Sequence, residues 1–368
     1  MRWALTIVLV LHGLIHLMGF AKAFGFAQLE ALKLPISRPM GVLWLVAALL
    51  VLASAALAWS RWFWLVGAVA LVASQWVIVS SWSDAKFGTA ANVILLVAVV
   101  YGFASQGPLS FRAEYEREAR ALLAAAPGSL PLVTDADLAG LPEPVARYLR
   151  YSGTVGQPRV ANFRATWKGR IRGSPAEPWM SMSVDQVSTT TGAEPARLFL
   201  IDATMKGVPA DVFHRFVGDA ATFRVKVASL FTVVDAKGPE MNRAETVTIF
   251  NDLCLVAPAA LIDPAIRWEP IDARAARATF TRGAETISAE LRFDETGALV
   301  DFISDDRLAA SPDGTQFTRK RWSTPVLAYG QFGAHRLLSR GEAKWHDGAT
   351  SFTYAELELT GIEFNVRP

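Results

Sequence analysis

The stretch Phe163-Arg164-Ala165-Thr166-Trp167-Lys168-Gly169-Arg170-Ile171 alternates between apolar or small side chains and charged or hydroxylated ones. Successive side chains of a strand point to opposite faces, so a period of two describes a strand with one dry and one wet face. Such strands belong to antiparallel sheets, because parallel sheets are covered on both sides. The pattern returns downstream. Met180, Met182 and Val184 alternate with Ser181, Ser183 and Asp185; Phe223, Val225 and Val227 with Arg224 and Lys226; Ile287, Ala289, Leu291 and Phe293 with Ser288, Glu290 and Arg292. Turn signals lie at Glu295-Thr296-Gly297, Pro312-Asp313-Gly314 and His346-Asp347-Gly348. Residues 156–368 therefore read as an antiparallel sheet of about ten strands.

One segment breaks the pattern. Residues from about 240 to 261 carry helical spacing (Val247, Phe250, Leu253, Cys254) and follow Lys237-Gly238-Pro239. A strongly curved sheet has a concave apolar face that needs a cover, and a helix inserted mid-sheet supplies one. The expected fold is an α+β half-barrel with a helical lid. Its concave face would carry Phe163, Trp167, Met180, Met182, Val225 and Val227, with Trp268 in the core or under the lid. Aromatics and methionines suit apolar ligands of loose shape.

Upstream the chemistry is different. Four apolar runs, at about Trp3–Lys22, Met40–Trp59, Trp62–Trp82 and Gly88–Gln106, each approach the ~20 residues that cross a bilayer core. A cleavable leader is the competing reading for the first run, but no small-x-small site follows His16-Leu17-Met18-Gly19-Phe20-Ala21-Lys22. Trp3, Trp44, Trp59, Trp62, Trp64 and Trp82 lie mostly near span ends, where indoles favour headgroups. Only Ser60 and Arg61 separate the second and third runs, so those helices are antiparallel neighbours. Ala47, Ala48, Gly67 and Ala70 are among the small residues that permit close contact. Residues 1–106 thus form a four-helix transmembrane bundle, 107–155 a helical linker, and 156–368 the half-barrel. Within the linker, Phe111–Ala126 and Pro142–Tyr151 read as helices, and Thr134-Asp135-Ala136-Asp137 caps a short turn.

His12 and His16 share one face of the first span, four residues apart. Ionisable groups at this depth face the bundle interior. They suit a metal or haem ligand pair or a proton relay; the plainer alternative is neutral imidazoles bonded to Ser74 or Gln75. A third ligand is lacking, so the plainer alternative is preferred and no cofactor is expected.

Charge narrows the partners. The chain has 36 Lys and Arg against 34 Asp and Glu, and the portion beyond the spans is close to balance. A nucleic-acid surface needs a clustered basic excess, and none is visible. Arg2, Arg61, Arg112, Arg117 and Arg120 share one membrane side, against Lys22, Lys33, Arg38 and Lys86 on the other; this favours cytoplasmic termini by one residue and the terminal amine. The lone Cys254 says nothing of redox compartment.

No Gly-x-Ser-x-Gly elbow, phosphate loop, dinucleotide fingerprint or His-Glu-x-x-His motif occurs. Glu240 and Glu245, near the start of the inserted helix, suit a general base or a headgroup partner, or simply favour the helix dipole while Glu245 pairs with a strand arginine. Arg307, in Asp305-Asp306-Arg307, suits a grip on a carboxylate or phosphate, or a lock between strands.

The stretches His12-Gly13-Leu14-Ile15-His16-Leu17-Met18-Gly19-Phe20-Ala21-Lys22-Ala23-Phe24, Ser37-Arg38-Pro39-Met40-Gly41, Leu141-Pro142-Glu143-Pro144-Val145-Ala146-Arg147-Tyr148-Leu149-Arg150, Asp235-Ala236-Lys237-Gly238-Pro239-Glu240-Met241 and Leu359-Thr360-Gly361-Ile362-Glu363-Phe364-Asn365-Val366 resemble a bacterial family of unknown function, sometimes preceded by several membrane spans. The resemblance implies a bacterial inner membrane and supplies no activity. At the level of fold, the strand pattern and inserted helix resemble the LolA/LolB-like lipoprotein-carrier half-barrels, which hold acyl chains and act in the periplasm. Fold likeness alone does not assign function. Two functions are expected: a non-enzymatic, bilayer-anchored binder of a lipid or other apolar molecule, or a hydrolase or transferase on a lipid-like substrate using Glu240, Glu245 or His335.

Overall fold

The computed structural model describes residues 2–125, 130–191, 195–205, 207–311 and 313–367. The chain divides into two compact units, Met1–Glu114 and Tyr115–Pro368.

The first unit contains α1 (Arg2–Ala23), α2 (Arg38–Ala56), α3 (Phe63–Ser80), the single turn α4 (Trp82–Ala85) and α5 (Gly88–Gln106). α1, α2, α3 and the helix beginning at Gly88 are long and apolar enough to cross a membrane. Ser37 accepts from the Met40 amide at the start of α2, with Pro39 in the first turn. Leu9, Ala47, Ala48, Val51, Ala55, Ala70 and Leu95 are buried between helices, while Ile7, Leu11, Val46, Val72, Val97 and their neighbours face outward. An exterior this apolar is what a membrane-spanning bundle requires. Small residues set the helix spacing: a Cβ at Gly19 would stand 2.3 Å from the Trp44 ring.

His12 and His16 point into this bundle. His16 donates from Nδ1 to the His12 carbonyl (2.9 Å) and accepts the Ser74 hydroxyl at Nε2 (2.9 Å). His12 donates from Nε2 to Asn92 Oδ1 (3.0 Å), and Asn92 donates to Gln75 (2.9 Å). Both imidazoles thus belong to a hydrogen-bonded chain linking α1, α3 and α5.

The second unit takes in most of α6 (Phe111–Ala124), then α7 (Glu143–Tyr151) and α8 (Pro239–Val256). The expected end of α6 at Ala126 lies outside the described residues. Thr134 and Asp137 form a capping box on the 3₁₀ turn Asp135–Leu138. α7 is no mere linker: Val145, Ala146, Tyr148 and Leu149 are buried in the same core as the sheet. Another 3₁₀ turn, Pro258–Ile262, follows α8.

Sixteen strands occur among the described residues, more than the ten or so expected: β1 (Asn162–Ile171), β2 (Met180–Thr189), β3 (Arg197–Met205), β4 (Val208–Val217), β5 (Ala220–Val227), β6 (Phe231–Lys237), β7 (Ile266–Asp272), β8 (Ala275–Arg282), β9 (Glu285–Phe293), β10 (Leu299–Ser304), β11 (Leu308–Ala310), β12 (Phe317–Arg319), β13 (Trp322–Ser323), β14 (Val326–Phe332), β15 (His335–Asp347) and β16 (Thr350–Phe364). One antiparallel sheet runs β6-β5-β4-β3-β2-β1-β16-β15-β13-β10-β9-β8-β7, with β14 also on β15 and β11–β12 forming a separate ribbon. Part of the surplus comes from β11, β12 and β13, whose two or three residues are too few to show a period. Pro312, part of one expected turn signal, lies outside the described residues.

The sheet is curved. α8 touches β5 and β6 on one wing and β9, β10 and β15 on the other. The β11–β12 turn lies so near β6 that a Cβ on Gly314 would meet Val234 at 2.7 Å. Arg282 of β8 donates to the Pro195 and Gly218 carbonyls (2.7 and 2.8 Å), which flank β3 and β4 on the opposite wing. A sheet whose wings meet in these ways wraps around its helix.

Candidate functional site

Cross-strand register decides what faces α8. One row of paired residues runs Ala165, Gln186, Phe199, His214, Phe223 and Ala236 across β1 to β6. The next runs Trp167, Val184, Ile201, Val212, Val225 and Val234. Between these rows and α8 the chain leaves a cavity of about 500 Å³. Trp167, Met182, Ile201 and Val225 line it from one wing, and Trp322, Leu338, Trp345 and Leu357 from the rest of the sheet. Such a volume lies within the ~300–1,000 Å³ typical of ligand pockets.

A buried ionic cluster forms part of its wall. On α8, Glu245 and Asp252 are seven residues apart and so share a helix face. Glu245 receives Arg197 Nη1 at 3.2 Å and His214 Nδ1 at 3.2 Å, with Arg307 Nη2 at 3.6 Å. Asp252 Oδ2 receives Arg197 Nε and Gln186 Nε2, both at 2.7 Å. Gln186 in turn accepts from Trp167 Nε1 at 2.9 Å. Burial opposes the Glu245 charge, yet His214, Arg197 and Arg307 hold its pKa down at about 2. Burial pulls His214 below the ordinary imidazole value, against the pull of Glu245. His214 Nδ1 thus faces the Glu245 carboxylate at hydrogen-bond distance. Burial raises the Asp252 pKa, against the pull of Arg197. Two arginines facing two carboxylates leave the cluster near neutrality, which is what a buried charge set requires.

The candidates read from the sequence distribute as follows. Trp167, Met180, Met182, Val225 and Arg307 line the cavity. Glu245 sits behind the wall in the ionic cluster. Phe163 is fully buried in the core, Val227 is half-buried towards the end of β5, and Trp268 donates to the Leu261 carbonyl (3.2 Å), none of them facing the hollow. Glu240 is exposed at the start of α8, and His335 meets Phe364 edge to face, away from the cavity. Arg197, His214, Asp252 and Gln186 had not been singled out. The available signal was polar type in a dry register: Gln186 follows Met182 and Val184 by twos, Arg197 precedes Phe199 and Ile201, and His214 follows Ala210 and Val212.

Among the described residues no three His, Cys, Asp or Glu side chains group as a metal site. Burial pushes the Cys254 thiol well up, which makes it a poor nucleophile. The arrangement is suited to enclosing an apolar body beside a fixed set of hydrogen-bonding charges.

Residues 131–357 match the model of a family of unknown function, DUF6544. No curated protein matches the chain.

Proposed function

We propose, for a chain that belongs to the DUF6544 family of unknown function, that it is a membrane-anchored binding protein whose curved sheet holds a lipid or another apolar molecule. The observation that carries this reading is the 500 Å³ hollow itself. A sheet and helix of this size could fill their interior with their own side chains, as protein cores do. Here Met180, Met182, Trp167 and Val225 border open space instead. The four apolar helices supply a reason for an apolar cargo, since the bilayer is its source. The likeness to lipoprotein-carrier half-barrels points the same way. We take the membrane to be a bacterial inner membrane, with the charge count favouring cytoplasmic termini; a reporter fused after Pro368 is expected to be active on that side.

The test is lipid extraction from the purified full chain, followed by mass spectrometry. Annular lipid is subtracted by comparison with Met182→Glu, which puts a charge on the cavity wall, and with Ser183→Glu on the wet face of β2. Wild type and Ser183→Glu are expected to carry a lipid species that Met182→Glu lacks. Identical lipid content in all three would remove the binding reading.

A second reading, hydrolysis of a lipid-like ester, has one observation in its favour. Glu245 fixes His214 through Nδ1, and His214 borders the cavity; an acid-oriented imidazole is the usual form of a general base. If this reading holds, the full chain hydrolyses long-chain esters and His214→Gln loses that activity with bound lipid unchanged. Absence of turnover in the wild type removes it.

A further inference from the structure

We infer that the cavity's occupant is an amphiphile with an anionic head, a carboxylate or a phosphate, and that Arg307 receives that head. The inference rests on the binding reading above and adds the chemical class of the ligand. Arg307 borders the cavity, with only 11% of its side chain exposed. A guanidinium so far from water needs an anion and several acceptors; Arg307 has Glu245 nearby as an anion, shared with Arg197 and His214, but is short of acceptors. Its Nε is buried with no hydrogen-bond partner. Its Nη1 reaches the Leu308 carbonyl only at 3.4 Å, and its Nη2 stands 3.6 Å from Glu245, beyond a good hydrogen bond.

The other buried arginines show what saturation looks like here. Arg197 has Asp252 at 2.7 Å and Glu245 at 3.2 Å, and Arg282 has two carbonyls at 2.7 and 2.8 Å. Glu245 leaves this deficit unfilled: its Oε1, which also receives His214 at 3.2 Å, stays 3.6 Å from Arg307 Nη2, and its Oε2 faces Arg197. The acidic neighbours in sequence are committed elsewhere: Asp306 to Arg243, Arg319 and the Ser288 amide, and Asp305 to Arg321. Aromatic contact is marginal, with the Trp322 and Trp345 ring centroids at 5.6 and 6.0 Å. An anionic head entering the cavity supplies the missing acceptor. The Met182 and Ile201 side of the hollow then takes the tail. Carboxylate and phosphate share the planar or tripodal oxygens that a guanidinium grips in pairs.

The experiment uses the full chain in phosphatidylcholine nanodiscs loaded with a neutral fluorescent naphthylamine. Hexadecanoate, hexadecyl phosphate and hexadecanol compete for displacement, in wild type, Arg307→Gln and Arg307→Lys. At least one acid is expected to bind wild type about tenfold or more tightly than the alcohol, the size of one charge-assisted hydrogen bond. Arg307→Gln is expected to lose that preference, its affinity for the acid falling to the level of its affinity for hexadecanol, and Arg307→Lys to keep part of it. Whichever acid prevails separates a fatty-acid from a phosphate-headed ligand. Equal affinity for acid and alcohol in wild type, or a preference that survives in Arg307→Gln, overturns the inference and leaves the apolar binding reading standing. No displacement by any of the three defeats both. Should the glutamine variant fail to give a native near-ultraviolet circular dichroism spectrum, the wild-type ranking and the lysine variant decide the matter.

Discussion

Glu245 is the residue on which the interior electrostatics turn. Its carboxylate is almost wholly buried and meets Arg197, His214 and Arg307 from both wings of the sheet. With a folded pKa held at about 2 against an ordinary 4.5, the unfolded chain takes up this proton first as pH falls. Glu245 therefore contributes stability that is complete above about pH 4.5 and lost progressively towards pH 2. Glu245→Gln keeps the shape and removes the charge, leaving two arginines under-compensated. At neutral pH it should cost roughly 3–5 kcal/mol, the usual penalty for breaking a buried pair. Thermal unfolding of both proteins between pH 7 and pH 3 should show the gap narrowing below about pH 4.5. A gap that stays constant across that range would mean that the Glu245 charge contributes nothing. Asp252, whose pKa is raised by burial and also by the Glu245 charge, is relieved of that repulsion in the variant, so the comparison reads the two carboxylates together.

At the scale of elements, legibility followed the period. Apolar runs of near-span length announced α1, α2, α3 and α5, and their ends fall within a few residues of expectation. Alternation announced β1, β2, β5 and β9, and helical spacing after Gly238-Pro239 announced α8. β11, β12 and β13 went unseen, since two or three residues cannot display alternation. The ionic cluster was half legible for another reason. Glu245 and Arg307 stood out one at a time, but their meeting with Arg197 and His214 depends on the pairings Ser188 with Arg197 and Phe199 with His214, which no single strand reveals. The N-terminal helical unit repeats the lesson. His12 and His16 were visible as a pair, while Asn92 became their partner only through the packing of α5 against α1. Ser74 is the hinge of that network, within 2.9–3.1 Å of both imidazoles. Ser74→Val should therefore destabilise the bundle by about 0.5–1.5 kcal/mol, the measured scale for interhelical hydrogen bonds in membranes. Unfolding in mixed detergent micelles reads this directly, and a variant as stable as wild type would show that α1 and α3 gain nothing from the contact.

Over the whole curved sheet, the question is what keeps the wings together while a hollow persists between them. β16 returns from the far end of the sequence to lie beside β1, so the centre of the sheet is continuous and the wings fold from it as two meanders. Apolar contacts through α8 hold them along its length, but an unfilled cavity forfeits dispersion energy over part of the interface. Arg282 compensates at one end. It leaves β8, stacks on Phe216 with its guanidinium 3.5 Å from the ring centroid, and donates to the Pro195 and Gly218 carbonyls. These bonds join residues that are distant in the sheet order, so the arginine acts as a clasp. Arg282→Met retains most of the apolar stem and removes both bonds to the clasped carbonyls, each worth about 1.5–3 kcal/mol when the donor is charged. The variant should lose roughly 3–6 kcal/mol of stability. Its effect should also be local before it is global: amide hydrogen exchange ought to accelerate first in the β4–β5 turn and at the end of β8, with the four N-terminal apolar helices unchanged. Uniform acceleration along the whole sheet would instead make Arg282 an ordinary core residue, and the wings would then be held by α8 alone.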